Sequence, residues 1–316
     1  AGGPVTVRAG GVQVLGAISG GTITLDAGAG GFGLSGAIAG TSVSVTAGGP
    51  ATLDGVVSAT GPVTVRANGL SVNGTVSNGG TAGLDAGSGD LVASGSVGAG
   101  GALVLQAGGA AVLNGRMTAG TSLFVGAGTG ATLAGSVAAP LLSVAAPAIR
   151  LSGGTILTGG GPLPTGTRQA ALPVAGTAGT GAFFQTRGFV QSGTTTFAGL
   201  PGSSGTTVRV TLSGNGSITL GTFAARSSTL ILDLGNGSAS GGPFQVASLY
   251  VIYQPGGGTA DLQGQVGGLS GNAAASAATV FPFPSRNFRI NSCAVASVNC
   301  IVLTPQTVPV GNPLKE

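Results

Sequence analysis

No histidine and no tryptophan occur in this chain of 316 residues, and its one methionine is Met117. Without histidine there is no Ser-His-Asp or Cys-His nucleophile system. Two cysteines are too few ligands for a cysteine–histidine zinc site. Charged residues are only 6% of the chain, and the net charge of +4 comes from arginines spread singly along it. They form no basic patch, so nucleic acid is not an expected partner. No apolar run reaches membrane-spanning length, and no signal peptide is visible. The chain starts at Ala1 rather than Met, so the expectation is a processed or excised piece of a longer precursor.

Glycine is what the sequence has in abundance, with 65 residues. No G-X-Y period accompanies it, which excludes collagen. Disordered chains are poor in β-branched residues and rich in charge; here Val, Ile, Leu and Thr recur throughout. The stretch GPVTVRA occurs at 3–9 and again at 61–67. Between and beyond the copies, one glycine marks each of eight lines: Gly16, Gly36, Gly55, Gly74, Gly95, Gly115, Gly135 and Gly154, at spacings of 19–21 residues. Each line reads V-x-V-x-A, a Gly-rich corner, then x-L-x-G-x-V. Apolar residues alternate with small or polar ones, the period of a strand, and nothing has helical spacing.

Strands this short must stack line on line, which makes a β-solenoid. Val7, Leu25, Val45, Val65, Leu84, Leu105, Val125 and Val144 are expected to form one inward ladder. A second is Ile18, Ile38, Val57, Val76, Val97, Met117, Val137 and Ile156. The position after the first ladder is expected to face outward. It places Arg8 one coil below Asp26, and Arg66 one coil below Asp85, as register-setting ion pairs. Before the marker glycine stand Ser35, Asp54, Asn73, Ser94, Asn114 and Ser152, a turn-forming set. The corner glycines are assigned to positions that need positive φ.

The second half differs. Residues 1–160 are regular repeats. Residues 161–205, rich in Pro, Gly and Thr, read as an excursion or an irregular coil. Residues 206–316 read as the solenoid continued with larger, bulkier coils, with a separate β-sandwich as the alternative. The segment 273–284 reads as a short helix or a loop leaving the stack. Cys293 and Cys300 admit two readings, a disulfide in an oxidising compartment or two free thiols. Tyr250, Tyr253, Phe281 and Phe283 are candidates for a contact surface, and a packed Tyr250–Tyr253 pair is the plainer reading.

No catalytic residue, metal site or cofactor site emerges, and the chain is expected not to be an enzyme. GAGGFG (28–33) matches a phosphate-cradling pattern, but it sits at a solenoid corner with no helix after it. An enzyme acting on polysaccharide from an outer face would need clustered acids, and no two acids share a column on adjacent coils. The NGS/NGT triplets at 73–75, 215–217 and 236–238 match a glycosylation sequon and equally an Asn-Gly corner.

The twenty-residue G/A/V/T/L lines, together with the C-terminal Asn291, Cys293 and Cys300 after a Gly/Ala stretch, resemble filamentous-haemagglutinin-like exoproteins of Gram-negative bacteria, secreted by the two-partner route. The N-terminal secretion domain of that family is not in these residues. The resemblance implies a right-handed parallel β-helix, all-β, outside the cell or on its surface, in an adhesin, a biofilm matrix or a surface fibre. Two functions follow as expectations. One is a fibre subunit whose coils stack head-to-tail on another copy of itself. The other is a monomeric adhesin stalk binding a polysaccharide or a cell surface.

Overall fold

A computed structural model describes residues 2–159, 181–200, 206–253, 259–266, 269–276, 279–280, 288–295 and 298–305. Among them there is no helix, and every strand belongs to one continuous sheet system. The first coil is β1 (Val5–Arg8), β2 (Val12–Val14) and β3 (Ala17–Ser19). The pattern repeats to the eighth coil, β22 (Leu141–Ala145), β23 (Ala148–Leu151) and β24 (Gly154–Thr158). Each strand pairs in parallel with the strand one coil later. The chain is a parallel β-solenoid with three sheet faces.

Both ladders read from the sequence are in register. Val7 pairs with Leu25, Leu25 with Val45, and so on to Val144. Ile18 likewise leads through Ile38 to Ile156. A third ladder closes the triangle: Val14, Leu34, Leu53, Val72, Ala93, Leu113, Leu133 and Leu151. Beyond the first coil these side chains are buried. Alternation puts every second residue of a strand inside, and three short rows fill a narrow interior without large side chains.

The marker glycines are required for a different reason from the one the sequence suggested. From Gly16 to Gly135 none has positive φ; in that column only Gly154 does, at 94°. What forbids a side chain is the coil below. A Cβ on Gly36 would lie 1.8 Å from the carbonyl oxygen of Gly16, and on Gly95 1.9 Å from that of Gly74. These carbonyls point up the stack because each accepts a hydrogen bond from the residue after the next marker: Ala37 donates to Gly16 at 3.0 Å and Ser96 to Gly74 at 3.0 Å. Glycine leaves that path open.

Residues 181–200 fall where the sequence suggests an excursion or irregular coil, and here they carry the next coil. β25 (Gly181–Gln191) runs across two faces, pairing with both β22 and β23, and β26 (Thr194–Gly199) pairs with β24. Phe184, Phe189 and Phe197 come from the three faces and meet inside. Phe184 lies 5.4 Å from Phe189 and 6.3 Å from Phe197, both edge-to-face. The added aromatics fill a wider coil. β27 (Thr207–Leu220), β28 (Thr222–Gly235), β29 (Ser238–Tyr253) and β30 (Thr259–Val266) continue the parallel stack.

Past β30 the expected continuation fails. β31 (Leu269–Ser276) runs antiparallel along the whole of β30, and β32 (Thr279–Val280) antiparallel to the end of β31. β33 (Phe288–Val295) and β34 (Val298–Pro305) form a hairpin, and β34 lies antiparallel on Leu249–Tyr253 of β29. The short connections after β30 and β33 turn the chain straight back, which parallel stacking does not allow. The segment 273–284 is therefore strand where it is described, not helix.

Replacing Gly95 by Ala is expected to cost about 2–3 kcal/mol, as backbone must move to admit the methyl group. Gly126→Ala is the control: its Cβ meets nothing within 4 Å and its φ is not positive. It is expected to be neutral or to stabilise by up to about 0.5–1 kcal/mol. Urea unfolding midpoints of the two variants test the contrast.

Candidate functional site

Polar chemistry in this chain sits at corners, so the site is built from them. Arg8 Nε lies 3.8 Å from Asp26 Oδ2, and Arg66 Nε donates to Asp85 Oδ2 at 3.1 Å. Each aspartate does a second task. Asp26 Oδ1 accepts from the Gly28 N–H at 3.0 Å, and Asp85 Oδ1 from the Gly87 N–H at 2.9 Å. Gly28 and Gly87 have φ of 55° and 57°, so here the turn does require glycine. The repeated Asp-Ala-Gly thus closes its own corner with one oxygen and holds the arginine below with the other.

A third pair, Arg209–Asp233, escaped the sequence reading. Arg209 pairs in register with Ile231 and Asp233 with Thr211, so the two charges are diagonal across adjacent coils and share no column. It is also the most sheltered: its side chains are 12% and 24% exposed, against 70% and 31% for Arg66 and Asp85.

The turn-forming column is a hydrogen-bonded edge. Asn73 Nδ2 donates to Asp54 Oδ1 at 2.8 Å. The backbone amides of Asp54 and Gly55 both donate to the carbonyl of Leu34, and those of Asn73 and Gly74 both to Leu53. Beside this edge a groove of about 580 Å³ is lined by Gln13, Gly33, Ser35, Thr52 and Asp54. Gln13 lies across Gly33, where a Cβ would fall 2.1 Å from Gln13 Oε1. Asp54 is the one carboxylate lining the groove, and its Oδ1 is already taken by Asn73. Among the described residues no three His, Cys, Asp or Glu side chains come together as metal ligands. Among them, too, no helix is long and apolar enough to cross a membrane. Among the described residues the large exposed apolar side chains, Leu15, Val56, Phe124 and Val190, stand on four different coils.

Cys293 and Cys300 are direct cross-strand partners in the β33–β34 hairpin. Opposed residues of an antiparallel pair have Cα atoms about 4.5–5.5 Å apart, within the span a disulfide bridges. Tyr250 lies on β29 between Ile231 of one coil and Val302 of β34; Tyr253 is between Gly235 and Asn299. Both belong to the strand on which the terminal hairpin rests. Phe281 and Phe283 lie outside the described residues.

The structural feature that sets this end apart is closure. The last parallel strand of the first face is covered by β34, and β30, which ends the other two faces, is covered by β31. All three C-terminal edges are occupied by the chain's own antiparallel strands. In comparison with known proteins, the chain matches no family model, no curated protein and no solved structure.

Two predictions follow from these contacts. Arg66→Ala is expected to cost at most about 1 kcal/mol, the range of exposed pairs. Arg209→Ala is expected to cost more, about 2–3 kcal/mol, because it strands a half-sheltered Asp233. Denaturant midpoints at equal m-value decide this. Non-reducing peptide mapping is expected to recover a Cys293–Cys300 disulfide. In the chain-entropy picture its reduction removes roughly 2.5 kcal/mol from the hairpin, and free thiols in material purified without reductant would contradict the pairing.

Proposed function

We propose that this chain is the shaft of an extracellular or cell-surface protein, a monomeric β-solenoid stalk of the adhesin type. The observation that carries the reading is the closed C-terminal end. Head-to-tail growth needs a free parallel edge there, and β31 and β34 already use the hydrogen-bonding groups that a second copy would require. A solenoid is suited to a shaft because each coil contacts only its neighbours, so length is added without a larger core. From β1 to β29 the stack rises roughly 50 Å at ~4.8 Å per coil. Its outward columns carry many threonines, serines and single charges, with the exposed apolar side chains scattered over different coils, which suits contact with a polysaccharide or a hydrated cell surface.

The second reading is a fibre subunit that stacks end to end. It is favoured by the parallel stacking of β1 to β24, in which each coil offers the next the same rows of backbone groups. In that case the terminal hairpins would have to swing aside before the next copy docks, and the contact, being heterologous, would propagate.

Sedimentation and negative-stain microscopy across a wide concentration range separate the two. Short rods of constant length at every concentration are the expected result. Unbranched fibres that lengthen with concentration would overturn the stalk reading in favour of the second.

A further inference from the structure

The groove beside the polar edge lies on the second face of the first three coils. Its floor is the outward column of β2, β5 (Phe32–Leu34) and β8 (Ala51–Leu53), where Gln13, Gly33 and Thr52 are in register. The column continues through Ser71, Val92, Val112 and Thr132 to Arg150, so Gly33 is its one position without a side chain. A glycine inside a strand weakens it and often marks the close approach of a ligand or another backbone.

Gly33 differs from the marker glycines in what stands over it. Its φ is not positive, and the three atoms nearest to a Cβ there all belong to the Gln13 carboxamide, with Oε1 at 2.1 Å and Nε2 at 2.6 Å. That is the end of a flexible side chain, whereas at Gly36 the obstacle is a carbonyl of the coil below. When Gln13 swings away, the strand keeps an open notch between its neighbours.

The groups around the notch have bonding capacity to spare. Among the described residues, the side chains of Gln13, Ser35 and Thr52 have no hydrogen-bond partner. Asp54 Oδ1 accepts from Asn73, and Oδ2 has no partner among them. Asp26 and Asp85, by contrast, use both oxygens at their corners. Pro50 precedes β8 and Asp54 follows it, so the exposed Pro50 ring stands on the opposite rim from the carboxylate. No arginine or lysine lines the groove.

We propose that this groove binds a neutral hexose residue of a glycan chain, an inference that rests on the polysaccharide contact of the stalk reading. The chemistry of the lining selects the ligand. A carboxylate oxygen only accepts, so Asp54 Oδ2 takes a hydroxyl donor in a charge-assisted bond. The carboxamide and the two hydroxyls both donate and accept, as neighbouring sugar hydroxyls do. Pro50 offers its ring to the C–H face of the sugar. A uronic or sialic acid would bring a second negative charge beside Asp54 with no cation between them. The volume of about 580 Å³ is in the range of small-molecule sites.

Titration calorimetry of the intact protein tests this with neutral oligosaccharides in two arms. Galactose-terminated oligomers stand for a host cell surface, and glucose and mannose oligomers for a microbial matrix; oligogalacturonate is the charged comparison. Gly33→Thr fills the notch. Asp54→Asn removes the charge and keeps the oxygen that Asn73 bonds. Gly83→Thr is the control, at another strand glycine whose Cβ meets nothing within 4 Å. At least one neutral arm is expected to bind, and the arm that binds identifies the source. Both groove variants are expected to weaken that binding at least about tenfold, the scale of losing one hydrogen bond to a charged group, and the control to leave it unchanged. No binding in either neutral arm would overturn the proposal, and so would oligogalacturonate binding as tightly as the neutral oligomers. Neutral binding that both groove variants leave unchanged would overturn it too. Glycan contact would then lie elsewhere on the shaft, and the stalk reading, which rod length tests, would stand.

Discussion

Every other property of this structure depends on the hydrogen bonds that run from one coil to the next. A solenoid coil has no partner within itself. Its amides and carbonyls are satisfied only by the coils above and below, so equivalent positions must lie directly over one another. That constraint selects the residues. It requires rows of apolar side chains of similar size inside, and it requires glycine wherever a carbonyl rises past the next coil's α-carbon. It also brings charges of opposite sign one above the other at Arg8–Asp26 and Arg66–Asp85. Length, composition and surface chemistry follow from one repeated bond.

The same constraint explains where the regular design is abandoned. At β25 the two short strands of earlier coils merge into one, and the cross-section widens. Small aliphatics no longer reach the centre, and Phe184, Phe189 and Phe197 take their place. Buried polar side chains appear at the same level. Thr158 and Thr206 share a hydroxyl contact, Thr206 donates to the Gly159 carbonyl, and Gln191 donates to the Thr222 carbonyl. They supply partners that perfect stacking no longer provides. At the C-terminal end the chain folds back on its own last edges, which is how a sheet protects backbone groups that would otherwise be open.

Much of this was legible in the sequence, because a period of two inside a period of twenty leaves little choice. The two apolar ladders and the charged column could be aligned residue by residue. What could not be read was anything that depends on direction. A strand such as NCIVLTP has the same alternation whether its neighbour runs parallel or antiparallel, so the terminal hairpins looked like further coils. Arg209 and Asp233 were hidden because a diagonal contact leaves no trace in an aligned column. The marker glycines were found but given the wrong cause, since a sequence shows that a side chain is absent, not which neighbour excludes it.

One consequence of coiling concerns extension. Each regular coil stores about twenty residues of chain in a rise of ~4.8 Å. Drawn straight, the same residues span roughly 65–70 Å. A load applied along the axis pulls across the inter-coil bonds at the outermost coil first, because only one neighbour holds it. Peeling that coil would lengthen the molecule more than tenfold over the height it gave up while the remaining coils stayed intact. The shaft is therefore also a spool: stiff while wound, and able to pay out chain one turn at a time.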